Sequence, residues 1–244
     1  MNRCWSLMLV AMVATTACGP HQGPPGQPSA DSQRIAPSKI LDFALLYGRN
    51  CAGCHGQNGN GGAAIGLADP VFLAVADDAV ITRVTADGVP RTAMPAFAQR
   101  SGGVLTDDQI SVIVRGIRSH WAKPGVLRGT VPPPYRASQS GDAQRGAGVY
   151  GKFCSSCHGP DGSGGVRPGS IVDGTYLGLV SDQGLRTTVI VGRPDLNAPD
   201  WRGDAPGTSM SPQDISDVVA WLTAQRPAFP GQPYSSAHIR GGVR

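Results

Sequence analysis

The run Cys51-Ala52-Gly53-Cys54-His55 returns about a hundred residues later as Cys154-Ser155-Ser156-Cys157-His158. Four of the six cysteines in this 244-residue chain are used in these two C-x-x-C-H runs. Setting Tyr47 on Tyr150 brings Gly48, Cys51, Cys54, His55 and Gly56 onto Gly151, Cys154, Cys157, His158 and Gly159. Gly59 and Gly62 fall on Gly162 and Gly165, and one inserted residue later Gly88-Val89-Pro90 falls on Gly192-Arg193-Pro194. The chain is a tandem repeat, and each repeat must build a small fold around its own copy of the motif.

Each repeat carries two helical patterns. Apolar residues at Ile40, Leu41, Phe43, Ala44 and Tyr47 predict a helix over about 38–49, and Ala147, Val149 and Tyr150 predict one over about 143–152. Near the end of each repeat, Ile110, Ile113, Val114 and Ile117, then Ile215, Val218, Val219 and Leu222, show i, i+3, i+4, i+7 spacing. Both late helices open on a capping signal, Thr106-Asp107-Asp108 and Ser211-Pro212. The 34 glycines and 21 prolines favour short elements joined by many turns. The fold expected is mainly α.

The N-terminus reads as a targeting segment. A short positive start at Asn2-Arg3 precedes an apolar run from Trp5 to Val13, well below the roughly 20 residues that span a bilayer. It ends at Thr15-Thr16-Ala17-Cys18-Gly19, which resembles the lipobox of bacterial lipoproteins, with Thr15 where that family usually has Leu. The resemblance implies cleavage before Cys18 and lipidation of its thiol; an ordinary signal peptidase site near Thr15–Ala17 is the alternative. Either way the chain leaves the cytoplasm. The expected organisation is a signal peptide at 1–17, a Pro/Gly/Gln/Ser tether with the lipidation site at 18–37, a first domain at 38–123, a Pro-rich linker at 124–140, a second domain at 141–227 and a tail at 228–244. A net charge of +4 with no dense basic cluster gives no support for nucleic-acid binding.

The spacing C-x-x-C-H reads as c-type haem attachment. Two thiols one helical turn apart can reach two vinyl groups on one porphyrin edge, and the next residue presents an imidazole to the iron. Three other chemistries use paired cysteines. A redox dithiol would sit in a βαβ setting, a Cys₄ zinc site would leave the matched histidines unexplained, and a disulfide across so short a loop would stabilise little.

Haem iron has a further axial position, whose occupant divides electron transfer from catalysis. Beyond the signal segment the only methionines are Met94, 39 residues after His55, and Met210, 52 residues after His158. Each precedes the last helix of its repeat, so both are expected ligands at equivalent positions. His120 and His238 are weaker candidates.

With these residues in place the chain resembles a dihaem cytochrome c made of two tandem class I domains, over about residues 38–227. The resemblance implies a helical domain enclosing each of two covalently bound haem c groups. The residues implicated are Cys51, Cys54, His55 and Met94, and Cys154, Cys157, His158 and Met210. It also implies that first and last helices cross closely, a small residue against an aromatic. The second repeat fits, with Gly146 and Trp221; in the first, Phe43 and Gly116 stand at those places, so the large and small residues are expected to have changed sides. Arg91, Arg193 and Arg202 are candidates for pairing with haem propionates. The expected function is an extracytoplasmic electron carrier with no catalytic residues of its own, periplasmic or lipid-anchored at the outer face of the membrane, and serving redox partner proteins. The alternatives are a dihaem peroxidase-like enzyme, disfavoured by a chain without Glu, or a cytochrome subunit of a dehydrogenase or oxidase complex.

Overall fold

The computed structural model describes residues 35–165, 169–203 and 209–228; the signal segment, Cys18 and residues 229–244 lie outside them. The chain divides after Lys39 into two units. The first contributes a 3-10 turn at Pro37–Lys39, and the second, Ile40–Arg244, holds both repeats. The first repeat forms α1 (Phe43–Asn50), α2 (Ala52–His55), α3 (Pro70–Val75), α4 (Asp78–Asp87) and α5 (Asp107–Trp121). The second follows the same order with α6 (Ala143–Phe153), α7 (Ser155–His158), α8 (Gly174–Leu179), α9 (Asp182–Val191) and α10 (Pro212–Ala224). Among the described residues the only β pairing is two isolated bridges, Ala98 with Leu105 and Arg193 with Ala198.

Short oxygen-bearing side chains fix where these helices start. Asp42, Asp69, Asp77, Asp142 and Asp173 each accept hydrogen bonds from backbone N–H groups of the first turn, as Ser181 does for α9. Asp42 accepts from Leu45 N at 2.7 Å, so α1 begins at Phe43, later than apolar spacing alone suggests. Thr106 with Gln109 and Ser211 with Asp214 form capping boxes that pin the starts of α5 and α10.

The close helix crossings are both present, built in opposite senses. In the second repeat, a Cβ on Gly146 would lie 2.1 Å from the Asp217 carbonyl oxygen, so only glycine allows α6 to lie this close to α10. In the first, a Cβ on Gly116 would lie 2.0 Å from the Phe43 ring, so the expected exchange of large and small residues is present. The first repeat also has a feature that helix spacing did not reveal. Trp121, at the end of α5, packs edge-on against Tyr47 with ring centroids 5.0 Å apart. Trp221 stacks on Tyr150 at 4.2 Å from within α10. The two tryptophans reach matching tyrosines from different positions on their helices.

The repeats share a core. Ile190, Val191, Trp201 and Ile215 of the second belong to one buried cluster with Leu46, Tyr47, Ile110, Ile113 and Ile117 of the first. The 124–140 segment is held against the second repeat. Buried Arg186 donates to the Pro134 carbonyl at 2.9 Å and the Tyr135 carbonyl at 3.2 Å, and Gln183 donates to Tyr135 O at 2.7 Å.

Candidate functional site: two C-x-x-C-H turns

Each motif lies on one helical turn started by its first cysteine. Cys51 ends α1 with its N–H bonded to Tyr47 O, and its own carbonyl accepts from Cys54 N at 3.2 Å and His55 N at 3.0 Å. The second motif repeats this, with Cys154 O accepting from Cys157 N at 3.2 Å and His158 N at 2.9 Å. One turn therefore puts the cysteines on neighbouring faces and the histidine directly after them. Behind each turn a tyrosine hydroxyl closes the loop. Tyr47 donates to Gly56 O at 2.8 Å, and Tyr150 donates to Gly159 O. Gly56 and Gly159 sit at positive φ, 84° and 79°, which glycine alone adopts without strain.

All four motif cysteines are free thiols. Burial pushes the Cys51 thiol up to about 12 and the Cys154 thiol up to about 11, each reinforced by the neighbouring motif cysteine. A redox dithiol works through a thiolate of lowered pKa, and these shifts run the other way. Among the described residues no group of three or more His, Cys, Asp or Glu side chains is placed to hold a metal ion. Buried His55 has Nδ1 2.8 Å from the Ile65 carbonyl. If Nδ1 carries the proton, Nε2 is left with a lone pair suited to iron. His158 has a buried Nδ1 with no hydrogen-bond partner of good geometry, though the Gly169 backbone is near enough to offset part of the effect of burial. Burial lowers the pKa of both histidines, which favours the neutral, ligating form. Two thiols and one neutral imidazole per turn are the donor set that a covalent haem requires.

The structure changes the register of the second methionine. Gly88 and Gly192 cap α4 and α9 at positive φ, 66° and 73°, confirming that these positions correspond. Just beyond, Val89 N bonds to Met94 O at 3.0 Å, and Arg193 N bonds to Ala198 O at the same distance. Met94-Pro95 therefore corresponds to Ala198-Pro199. Farther on, Leu105 N bonds to Phe97 O at 2.8 Å, and Met210 N bonds to Trp201 O at 2.8 Å. Met210 directly precedes the Ser211 cap, as Leu105 directly precedes the Thr106 cap. The expected equivalence of Met94 and Met210 does not hold, because Met210 occupies the position of Leu105. The signal was present in sequence: extending the Gly88/Gly192 alignment without a gap sets Ala198 on Met94 and Trp201 on Phe97. Met94 and Met210 are both half-buried, and Met210 packs on the shared core.

The remaining candidates are held elsewhere. His120 stacks on Phe43 at 4.7 Å, with Nδ1 2.8 Å from Gly116 O. Arg193 pairs with Asp195 at 2.7 Å and also reaches the Gly62 carbonyl. Arg202 pairs with Asp200 and donates to Val126 O at 3.1 Å. The latter two arginines thus tie the second repeat to the loop after the first motif and to the linker. His238 lies outside the described residues, and Arg91 is exposed at φ 60°.

Comparison with known proteins matches this arrangement. A family described as "Cytochrome C oxidase, cbb3-type, subunit III" matches twice, over residues 38–115 and 141–222. The cytochrome bc1 complex cytochrome c subunit of Mycobacterium tuberculosis is 28% identical over 157 residues, spanning 62% of this chain and 53% of that protein. The cbb3-type cytochrome c oxidase subunit FixP of Bradyrhizobium diazoefficiens is 29% identical over 170 residues, 65% of this chain and 53% of that one. The chain thus spans about half the length of these curated relatives. Among solved structures, a chain of the Kuenenia stuttgartiensis reducing HAO-like protein complex Kustc0457/Kustc0458 is 18% identical, with 76% of this chain and 96% of that chain covered and a TM-score of 0.41. With helical repeats around two C-x-x-C-H turns and a family match over more than half its length, the protein belongs to the cytochrome c family of the cbb3-type subunit III, whose members bind haem c covalently.

Proposed function

We propose that this chain is an extracytoplasmic electron-transfer protein carrying two covalent haems. Cys51 and Cys54 would hold one haem and Cys154 and Cys157 the other, with His55 and His158 as axial ligands. The observation that carries the reading is the duplication itself: two free-thiol C-x-x-C-H turns with the same backbone bonds and the same tyrosine brace. In the first repeat Met94 is the sixth ligand, a soft neutral donor that favours the ferrous state and raises the potential. The bound haems supply the redox chemistry. The protein's own residues orient the His55 imidazole through Nδ1, bury it away from water, and hold the two repeats together through the shared core.

The relatives named above are subunits of a bc1 complex and of a cbb3-type oxidase. We place the protein in the same class of role, relaying electrons between respiratory partners at the outer face of the membrane, tethered by a lipid on Cys18. Among the described residues no helix is long and apolar enough to cross a membrane. The test is the haem-to-protein ratio of the denatured holoprotein, read as the pyridine adduct after acid-acetone extraction. Two non-extractable haems per chain are expected, falling to one in Cys154→Ser/Cys157→Ser. One haem or none in the wild type refutes the dihaem reading. Metabolic labelling with a fatty acid, lost in Cys18→Ser, tests the anchor.

A further inference from the structure

We propose that the haem site of the second repeat has no methionine ligand, and that its iron takes a small diatomic π-acceptor of the carbon monoxide type at the sixth position. The proposal rests on the reading of Met94 as the sixth ligand of the first repeat. Everything else comes from the register of the second.

Two independent anchors fix that register. Upstream, Gly88 and Gly192 end α4 and α9 at matching positive φ and extended ψ, and a Cβ on either would run into the loop beyond. A Cβ on Gly88 meets the backbone of Met94, Pro95 and Ala96, whereas one on Gly192 meets that of Ala198 and Pro199. Downstream, the capping boxes of α5 and α10 start at Thr106 and Ser211. Between these anchors Leu105 N bonds to Phe97 O and Met210 N to Trp201 O, so Met210 answers to Leu105 with one residue more in the second repeat. Met210 therefore cannot move to the place of Met94 without breaking its bond to Trp201 O and shifting off the cap of α10.

Ala198 fills the Met94 position and has no donor atom. Its neighbours Asn197 and Pro199 are exposed, with Asn197 in a left-handed turn bonded to Pro194 O. His120, the other histidine of the described residues, is stacked on Phe43 in the first repeat. A haem held by Cys154, Cys157 and His158 would then keep one axial position for an exogenous ligand. Ferrous haem with such a position binds π-acceptor diatomics, and the surrounding pocket sets how tightly. The two repeats would thus divide the work: a saturated electron-transfer site in the first, and in the second a site that a small ligand can occupy and so retune.

The experiment uses the holoprotein with carbon monoxide as the probe. Binding to the reduced protein is titrated, and the far-red sulfur-to-iron band of the oxidised protein is scaled to total haem. The wild type is expected to bind one carbon monoxide per two haems and to show one band per two haems. Met210→Leu, which installs the residue found at position 105, should change neither reading. Ala198→Met should abolish carbon monoxide binding and double the band. Carbon monoxide binding to neither wild-type haem, or a band halved by Met210→Leu, overturns the proposal. Met94→Ala should remove the band and raise binding to two; alanine is already accepted at this backbone position in the second repeat. A band that survives Met94→Ala instead sinks the underlying reading of Met94, and the proposal falls with it by a pattern distinct from the first two.

Discussion

Gly146→Ala would drive a methyl group into the backbone of the facing helix. The new Cβ would lie 2.1 Å from the Asp217 carbonyl oxygen, 2.7 Å from its carbonyl carbon and 2.8 Å from Trp221 Cβ. None of these is a flexible tip, so α6 and α10 must separate by on the order of an ångström. Overpacking of this kind costs roughly 1–3 kcal/mol. Separation also loosens the Tyr150–Trp221 stack, an arrangement worth about 0.5–1.5 kcal/mol beyond its burial. Against this, alanine gains about 1 kcal/mol of helix propensity over glycine. The net expectation is a loss of about 1–3 kcal/mol, or roughly 2–12 °C in melting temperature for a chain of this size. Gly116→Ala makes an instructive control. Its obstacle, at 2.0 Å, is the ring of Phe43, a half-buried side chain at the first position of α1, rather than the backbone of a facing helix. There the propensity gain should cancel most of the clash. The assay is guanidinium unfolding of the holoprotein by far-ultraviolet circular dichroism, with amide exchange resolved over α6 and α10. If Gly146→Ala is as stable as Gly116→Ala, the backbone-contact argument is wrong.

A larger insertion should defeat Phe43 as well: Gly116→Leu is expected to destabilise the first repeat, with at least half of the loss recovered by Phe43→Ala in the same chain, and additive effects in that cycle would refute the paired crossing. Asp217 accepts from Arg145, Asp142 N and Gln213, and the bond from Arg145 leads in holding its carboxyl down at about 2. A depressed carboxyl contributes stability above its unfolded value that is lost as pH falls toward about 2. Asp217→Asn should therefore lose stability at pH 6, with the gap to wild type narrowing from pH 4 downward; a constant gap would refute the ionic contribution. Arg186→Ala leaves the Pro134 carbonyl without its donor and the Tyr135 carbonyl with Gln183 alone, and a loss of about 1–3 kcal/mol is expected, with earlier proteolysis within 124–140. Cleavage there at the wild-type rate would mean that the linker is held by something else.

The helical fold was legible because its signals are local. Apolar spacing placed α5, α6 and α10 closely, since the buried stripe of an amphipathic helix follows directly from 3.6 residues per turn. The start of α1 was misplaced because Asp42 outcompetes the apolar pattern upstream. The Phe43–Gly116 exchange was also readable, since it needed only two aligned positions and conservation of volume. Trp121 was not. It reaches Tyr47 from five residues beyond the position aligned with Trp221, a coincidence of space that no alignment of helices expresses.

The sequence by itself determined which donor groups the two C-x-x-C-H turns offer, because C-x-x-C-H is a contiguous motif whose geometry one helical turn supplies. It also announced one methionine per repeat. The sequence offers two registers, one counted from the histidine and one from Gly88 and Gly192, and the tertiary structure decided for the second, in which Met94 and Met210 are not counterparts. Position in a loop is set by which carbonyl each N–H finds, and the bonds to Met94, Ala198, Phe97 and Trp201 fix a register that counting residues from the histidine does not. The tertiary structure likewise decided that the repeats share one core and a strapped linker, since burial and long-range hydrogen bonds depend on how helices meet rather than on the order in which they are written.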